Sequence, residues 1–470
     1  MNTRRKKYLN TVIRSSAIGL LLLTATTLQA QVEATLHMSC PEYGFPYGVP
    51  QRDSVKLCID RVIGFLEQAM PEGTENGRLK SGLLRQTSYE SGIIYAACGD
   101  VALRTGDKRY SDFASRRLSA MAALAPTLYD SIRANRNYDR QMRLMIAPSS
   151  LDDAGAMCSA YMRMMLKDND YCPVNLAKSR YRPVVRCYMN QIWRQYCIGD
   201  DRIFARIRPH YNTVWLDDMY MGIPPLAWYG VLTADGKSIH EAVCQIRAFK
   251  SRMWVEEEQL FRHGWVEEMS PHPYFPWGRA NGWAILTMCE TLDAMRLYAD
   301  ANTKRYAEYE DDRAFVLQLL VSHIKGICRV QSKTGLWHQL LNDNTSYLET
   351  SATAIFTYCL AHAICEGWIS ALSYGAQTLL AWNALSQQID AQGHVLGTCV
   401  GSGIGFDEAF YCYRPVHPMA AHGYGPMLWA GGEIIRLLDT THPYINDSAV
   451  HFYPTAIDTK GASYFSESRK

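Results

Sequence analysis

The sequence predicts an all-α protein, a six-hairpin (α/α)6 barrel, and three observations support this fold. Segments with a helical stripe of apolar residues recur about twelve times along the chain. Alternating, strand-like stretches are few and fall in the connections, for example from His394 to Cys399. Loops rich in Pro, Gly and Asn join the helical segments, without βαβ alternation or a low-complexity linker, which favours one domain over two.

An even set of long helices, closed into a ring of hairpins, buries the apolar stripe of every helix. Helix packing alone also allows an open solenoid. No self-similarity at a fixed period is visible, which counts against regular repeats. The helical segments are predicted at 53–70, 88–104, 109–123, 152–166, 183–198, 216–232, 238–261, 280–299, 311–329, 350–366, 374–388 and 422–439.

The first thirty residues have the layout of a secretory signal peptide. Basic residues from Arg4 to Lys7 precede an apolar run centred on Ile18 to Leu23, and small and polar residues follow up to Ala30. The apolar run is too short to span a bilayer. We therefore predict a signal peptide over residues 1–30 and a single α/α-barrel domain over 31–470, exported to the periplasm or secreted, with no membrane span in the mature form.

Composition excludes several classes of function. The formal net charge is +2 for the whole chain and becomes about −3 after cleavage, so nothing in the charge balance indicates a nucleic-acid partner. The 14 Cys are scattered, and no CxxC or HExxH motif occurs. The glycines after Gly397 lack the strand and the Lys-Ser or Lys-Thr of a phosphate loop. We predict no metal and no cofactor.

Two adjacent carboxylates, Asp217 and Asp218, stand at the head of WLDDMYMGIPPLAWYG, a segment that is otherwise apolar and aromatic. The apolar residues recur at near-helical spacing, so both carboxylates are expected in the first turns of a buried helix. Burial disfavours ionisation and raises a carboxyl pKa, as a general acid requires near neutral pH. The alternative is that one Asp caps the helix and the other is solvated.

Further polar and aromatic residues cluster in the connections, where a barrel would form its mouth. Asp152 and Asp153 head another helical segment, where capping is again the alternative. His263 follows a long helix, and its alternative role is a partner for the helix dipole. Arg279, beside Trp277, suits an anionic sugar, because its fork can hold a carboxylate while the indole stacks on the ring. A buried structural Arg is the alternative there.

The series WLDDMYMGIPPLA, HGW, WGRANGW, GLWHQ with YLETSA, and GTCVGSGIG with DEAFYCYRP resembles, in this order, the motifs of the unsaturated rhamnogalacturonyl hydrolases, glycoside hydrolase family 105. The resemblance runs from about Asp152 to Gly432, and its Asp and WGR motifs are the most specific. One departure is Ala280, where the family often has Gly. The resemblance implies a six-hairpin α/α barrel and a hydrolase that acts on oligosaccharides left by polysaccharide lyases.

The resemblance also implies a mechanism. An acid protonates C4 of a 4,5-unsaturated uronic acid at the non-reducing end, water adds at C5, and the resulting hemiketal opens and releases the neighbouring sugar. Position in the WxD motif puts the catalytic Asp on Asp217. A supporting Asp falls on Asp153, with Asp152 as the alternative.

The remaining implied residues bind substrate. His263 corresponds to a hydrogen-bonding partner for the sugar ring, Trp277 to the stacking surface and Arg279 to the uronate clamp. With three further candidates from the connections, the predicted substrate-binding residues are His263, Trp277, Arg279, Trp215, Trp337 and His338.

Rhamnogalacturonan fragments are the predicted substrate, and three other functions remain open. An unsaturated glucuronyl hydrolase for glycosaminoglycan or ulvan fragments shares the chemistry, but a sulfated substrate would need extra basic residues at the mouth, and the mature chain is close to neutral. A glycan-binding protein with a dead site would not need both Asp217 and His263. A sugar epimerase would need paired His bases, which are not evident.

Overall fold

The fold is all-α, with short strands only in the connections. The structure is a computed structural model that describes residues 47–76, 78–134, 140–301, 309–446 and 449–456. The predicted signal peptide, residues 1–30, lies outside the described residues and stays a prediction. The helices are α1 (Arg52–Ala69), α2 (Tyr89–Thr105), α3 (Lys108–Arg133), α4 (Arg140–Ile146), α5 (Leu151–Lys167), α6 (Arg182–Trp193), α7 (Asp217–Thr233), α8 (Gly236–Met253), α9 (Gly278–Ala301), α10 (Glu310–Arg329), α11 (Thr350–Cys365), α12 (Ala371–Ser386), α13 (Glu408–Cys412) and α14 (Tyr424–Thr441).

Six of these helices form a closed inner ring, in the order α2, α5, α7, α9, α11 and α14, in which each packs against the next and α14 returns to α2. Each inner helix has an outer partner, and these are α3, α6, α8, α10, α12 and, for α14, the first helix α1. The predicted six-hairpin α/α barrel is therefore confirmed.

The two rings differ in their sequence patterns because they differ in what surrounds them. The outer helix α1 buries a single stripe, with Val55, Ile59, Val62 and Leu66 at helical spacing. The inner helix α11 is buried from Thr350 to Ile364, because it contacts neighbours on every side.

Close packing within the inner ring depends on small residues. A Cβ placed on Gly155 of α5 would lie 1.7 Å from the carbonyl oxygen of Met221 in α7. Only Gly allows these two backbones to approach so closely.

The strands form six antiparallel pairs. They are β1 (Thr74–Glu75) with β2 (Arg78–Leu79), β3 (Cys197–Ile198) with β4 (Ile203–Phe204), β5 (Thr213–Trp215) with β8 (Gly264–Val266), β6 (Trp254–Val255) with β7 (Leu260–Phe261), β9 (Trp337–His338) with β10 (Leu348–Glu349), and β11 (Tyr444–Ile445) with β12 (Val450–His451). The β5–β8 pair sets Trp215 opposite Gly264 and so joins the loop before α7 to the loop before α9.

Most predicted helices are found within a few residues of their expected limits, and the differences are local. The segment predicted to run from 238 to 261 ends at Met253, and β6 and β7 form a hairpin in place of its last turns. Helices α4 and α13 were not predicted, since seven and five residues are too short for a periodic signal.

The thirteen described cysteines are free thiols. None of the helices in the described ranges has the length and apolar character needed to cross a membrane.

Candidate active site

The β5–β8 pair brings Asp217 and His263 together. Asp217 is the first residue of α7, directly after β5, and His263 directly precedes β8. The Leu216 amide donates to the carbonyl of His263 at 3.0 Å, which fixes the two backbones side by side. As a result, His263 Nε2 lies 2.9 Å from Asp217 Oδ2. The structure thus places two of the predicted site residues in direct contact.

The imidazole of His263 is fully buried and held from its other side by Tyr411. Tyr411 Oη lies 2.7 Å from His263 Nδ1 and accepts a hydrogen bond from the Gly405 amide at 3.0 Å. Burial raises the pKa of Tyr411, so its hydroxyl keeps the proton. When this hydroxyl donates to Nδ1, the Nε2 proton of His263 points at Asp217. Sequence analysis did not select Tyr411, although it lies in the motif DEAFYCYRP.

The electrostatics of Asp217 differ from the expectation. Burial alone would raise the pKa of its carboxyl, but His263, followed by Arg206 and Arg279, outweighs burial and lowers the pKa below its ordinary value. The rise predicted for a carboxyl pKa at this helix start is therefore not found at Asp217, because a hydrogen-bonding partner lies beside it as well as an apolar wall.

The second carboxylate, Asp218, is fully buried and paired with Arg206. Arg206 Nε and Nη2 donate to the two oxygens of Asp218 at 2.9 and 2.7 Å, and Nη1 and Nη2 donate to the two oxygens of Asp152 at 3.0 and 2.8 Å. One guanidinium thus bridges two carboxylates. Burial, opposed by Arg206 and reinforced by Asp152 and Asp217, raises the pKa of Asp218 to about 6.

The structure places Asp152, and not Asp153, in this network. Asp153 Oδ2 accepts hydrogen bonds from the amide and hydroxyl of Ser149, at 2.9 and 2.8 Å, on the first turn of α5. Asp153 is therefore occupied as a local turn and cap residue. The preference for Asp153 is corrected: the alternative, Asp152, is the one joined through Arg206 to the residue next to Asp217.

Trp277 and Arg279 form a buried wall behind the Asp217–His263 pair. The Trp277 ring is 1% exposed and lies 4.6 Å from the His263 ring, centroid to centroid. Arg279 is also 1% exposed, stacks on Trp277, and donates to the carbonyls of Cys399 and Val400 at 2.7 and 2.8 Å. Both side chains are thus almost entirely buried in the unliganded protein, and their roles as stacking surface and uronate clamp stay predictions.

Two other predicted residues do not reach the pair. Trp337 is completely buried, and its Nε1 donates to the Ile327 carbonyl at 2.8 Å. His338 Nδ1 donates to the Ser346 carbonyl within the turn that joins β9 to β10. The first bond ties the hairpin to α10 and the second closes its turn, and the predicted substrate contacts of both residues stay predictions.

Trp215, in contrast, is half-buried and lines an open cleft of about 1050 Å³. Its ring packs under the Arg206 guanidinium at 4.5 Å and meets the His263 ring edge-on at 6.2 Å. Asp217 does not itself line this cleft, but Trp215 and Arg206 do. Among the predicted aromatic residues, Trp215 is the one with a face toward open space beside the carboxylate.

A further cluster faces the site from α2 and from the 3-10 helix at Ala421–Gly423. Tyr89 Oη lies 2.5 Å from His422 Nε2, and Glu90 Oε1 lies 3.4 Å from the same nitrogen. Burial lowers the pKa of His422 and raises that of Glu90, which favours the neutral form of both groups. His422 Nδ1 has no hydrogen-bond partner among the described residues. No pattern in the sequence predicts that Tyr89 and Glu90 lie beside His422, which is 333 residues beyond Tyr89 along the chain.

Two described clusters contain residue types that bind metals: Asp293, His362 and Glu366, and Asp343, Glu408 and Cys412. In the first, both ring nitrogens of His362 are already hydrogen-bonded to carboxylates, those of Asp293 and Glu433. In the second, Glu408 is exposed while Asp343 and Cys412 are half-buried, and exposed acidic groups are common without an ion. The absence of a metal and of a cofactor stays a prediction.

Comparison with known proteins gives a consistent result. The sequence model of the family described as Glycosyl Hydrolase Family 88 matches residues 64–438. The 24.9 kDa protein in picA locus of Rhizobium radiobacter is 29% identical over 244 residues, which are 46% of this chain and 99% of that protein. The unsaturated rhamnogalacturonyl hydrolase YesR of Bacillus subtilis is 25% identical over 178 residues, 38% of this chain and 46% of that protein.

A solved structure described as a possible member of GH105 family, from Salmonella enterica, shares the fold. It has a TM-score of 0.63 and 21% identity, and the match covers 83% of this chain and 96% of that one.

Proposed function

Because the chain belongs to Glycosyl Hydrolase Family 88 and is a glycoside hydrolase, we propose that it removes a 4,5-unsaturated uronic acid from the non-reducing end of oligosaccharides left by polysaccharide lyases. The resemblance to glycoside hydrolase family 105 is confirmed. The observation that carries the proposal is the contact of Asp217 with the buried His263, next to a cleft large enough for an oligosaccharide. Lyase-digested rhamnogalacturonan is the proposed substrate, which the similarity to YesR supports.

Asp217 has the geometry of a proton donor to carbon. Its Oδ2 is occupied by His263, and its Oδ1 has no hydrogen bond from a described residue. A proton on Oδ1 passes to C4 of the unsaturated ring, and positive charge develops at C5 and the ring oxygen. Water then adds at C5 and returns its proton to Asp217. The hemiketal opens, which breaks the bond to the neighbouring sugar.

A single carboxylate suffices for this route. Ordinary glycosidases need a second carboxylate across the scissile bond, as nucleophile or as base. Here the next carboxyl along the chain, Asp218, is tied to Arg206 by two hydrogen bonds and is not available for that role. The arrangement therefore fits hydration of a double bond better than displacement at the anomeric carbon.

Substrate binding supplies the protonated form of Asp217. In the unliganded protein, its neighbours keep the pKa of this carboxyl low. A uronate carboxylate bound nearby adds negative charge and displaces water, and both effects favour the neutral acid. Asp217 is thus protonated, and able to act as an acid, when the correct anionic substrate is bound.

Contacts to the sugar are proposed from the residues that line the site. The face of Trp215 offers a stacking surface, as aromatic rings often do for sugars. Tyr89, Glu90 and His422 offer donors and acceptors for ring hydroxyls. We also propose that the protein works outside the cytoplasm, in the periplasm or the medium, on the basis of the signal-peptide pattern at residues 1–30.

The test is loss of the ultraviolet absorbance of the unsaturated uronate when purified protein is mixed with lyase-digested rhamnogalacturonan. Wild-type protein is expected to remove the absorbance, and Asp217→Asn is expected to leave it, although its circular dichroism and melting temperature match the wild type. Lyase-treated ulvan and glycosaminoglycan fragments are assayed in parallel. Absence of loss on all three substrates, or an active Asp217→Asn variant, contradicts the proposal.

A further inference from the structure

The cleft beside Trp215 is strongly cationic. Its described lining includes three arginines, Arg206, Arg208 and Arg414, and no Asp or Glu. Its volume of about 1050 Å³ is at the upper end of the range for small-molecule sites, roughly 300–1000 Å³. The cleft therefore has room for more than one sugar ring, and its wall favours negative charge.

The three arginines differ in how their charge is balanced. Arg206 is neutralised by Asp152 and Asp218. Arg208 is exposed and makes no ion pair with a described residue. Arg414 is half-buried and donates through Nε to Ser402 Oγ at 3.0 Å and through Nη2 to the Gly401 carbonyl, both of which are neutral acceptors. Two positive charges thus face the cleft without a carboxylate partner in the described part of the chain.

Aromatic and amide side chains accompany these charges. Phe410 lies under the Arg414 guanidinium at 5.6 Å, and Tyr196, Gln191 and Gln195 also line the cleft. Flat rings next to guanidinium forks suit a sugar that carries an acidic group, since the ring stacks and the fork binds the anion. This combination of flat rings and guanidinium groups indicates a binding surface, since basic side chains that contact only water do not need aromatic neighbours.

The position of the cleft decides which part of the substrate it meets. Trp215 forms one edge of the cleft and touches His263 with its ring, so the cleft starts at the reaction centre. With the unsaturated ring at Asp217, the rest of the oligosaccharide extends past Trp215 into the cleft.

We propose that the cleft binds a negatively charged substituent, either a sulfate ester or a second carboxylate, on the leaving oligosaccharide, and that Arg208 and Arg414 hold it. This inference rests on the proposed function, because cleavage next to the unsaturated uronate defines the leaving part. A guanidinium fork holds sulfate and carboxylate alike through paired charge-assisted hydrogen bonds.

The net charge of the chain led to the opposite expectation for a sulfated substrate, and the local charge of the cleft explains the difference. The near-neutral balance of the chain argued against a sulfated substrate, but it is a sum over the whole surface. Recognition depends on the local charge, and the acidic residues that offset Arg208 and Arg414 in the sum lie elsewhere than in the lining of the cleft.

The test compares three substrates that share the unsaturated uronate. The leaving part is a neutral rhamnose, a sulfated rhamnose, or a rhamnose followed by galacturonate. For Arg208→Gln, the ratio of kcat/KM for either charged substrate to that for the neutral one is expected to fall about tenfold, the loss of one charge-assisted hydrogen bond. Arg208→Lys is expected to retain most of the ratio, and added salt to reduce it. Arg186→Gln, an equal change of charge on the exposed side of α6, is the matched control.

Comparison of the two charged substrates distinguishes sulfate from carboxylate as the bound group. An unchanged ratio in Arg208→Gln, or a wild type that shows no preference for charged leaving groups, overturns the inference. If the wild type turns over none of the substrates, the proposed function fails separately. Calorimetric binding of the sulfated disaccharide then decides the inference: tighter binding by wild type than by Arg208→Gln supports it, and equal binding overturns it.

Discussion

His263 Nε2 lies 2.9 Å from Asp217 Oδ2, and the same imidazole is held by the hydroxyl of Tyr411 at 2.7 Å from Nδ1. The ring is completely buried between these two partners. Its orientation is therefore set by the short helix α13, which carries Tyr411, 148 residues further along the chain. When the Tyr411 hydroxyl donates to Nδ1, Nε2 carries the proton that points at Asp217 Oδ2, and Asp217 Oδ1 has no hydrogen bond from a described residue.

Tyr411→Phe tests the orientation of the imidazole. Loss of the hydroxyl removes one hydrogen bond to His263 and leaves the ring free to adopt the other tautomer. A loss of about 1.4 kcal/mol of transition-state stabilisation, or tenfold in kcat/KM, is expected in steady-state kinetics. Tyr413→Phe, at the exposed end of the same short helix, is the control. Equal kinetics for the two variants would sink this role for Tyr411.

Proton uptake on binding tests the electrostatics of Asp217. The pKa of its carboxyl is lowered in the unliganded protein, so near pH 6 it is ionised. A bound uronate is expected to raise that pKa, because it adds negative charge nearby. The saturated analogue of the disaccharide has the same carboxylate but no double bond to hydrate. Its binding is measured by calorimetry in buffers of different ionisation enthalpy. Wild-type protein is expected to take up a larger fraction of a proton than Asp217→Asn, and equal uptake would contradict the linkage.

The contact between Asp217 and His263 was predictable only in part. Both residues stand in recognisable motifs, and the sequence selected both. The strands that join them, Thr213–Trp215 and Gly264–Val266, have three residues each, which is too short for an alternating pattern to be read. The sequence therefore identified the two groups without the pairing that sets their distance.

Burial distinguishes the predicted aromatic residues from one another. Trp277 and Trp337 have the same residue type and the same kind of loop context as Trp215, yet both are buried and Trp215 faces a cleft. A short motif specifies which side chain is present, but which side of a loop it occupies depends on the packing of the whole barrel. Arg206 was missed for a related reason, because it lies in an irregular segment with no periodic signal and pairs with Asp152 across 54 residues.

Asp152→Asn and Asp153→Asn form a matched pair that tests the corrected assignment. Asn at 152 cannot form the ion pair with Arg206, so the guanidinium retains only one charged partner, Asp218. Asn at 153 retains an oxygen that accepts from Ser149. We expect kcat/KM to fall at least tenfold for Asp152→Asn and less than about twofold for Asp153→Asn. The reverse order would restore Asp153 as the supporting residue.

His362 forms a buried ionic cluster that sequence analysis did not consider. Its Nδ1 lies 3.1 Å from Glu433 and its Nε2 lies 3.2 Å from Asp293, and Glu433 also pairs with Arg104 and Arg436. Burial by itself lowers the pKa of His362, but Asp293 and Glu433 outweigh it and raise the pKa well above its ordinary value. His362 is therefore a cation that links α9, α11 and α14 of the inner ring.

His362→Gln is expected to lower the free energy of unfolding by about 3 kcal/mol, because two buried carboxylates lose their shared cation. The raised pKa of His362 stabilises the fold below its unfolded value, about 6.5, and this contribution is lost as pH rises through the folded pKa. The lowered pKa of Asp293 and of Glu433, the latter to about 2, gives stability that is lost as pH falls through those values. Denaturant unfolding should therefore show the largest difference from wild type between about pH 4.5 and 6.5, and exposed His417→Gln should show none. A difference that grows above pH 7 would mean that His362 is neutral in the folded protein.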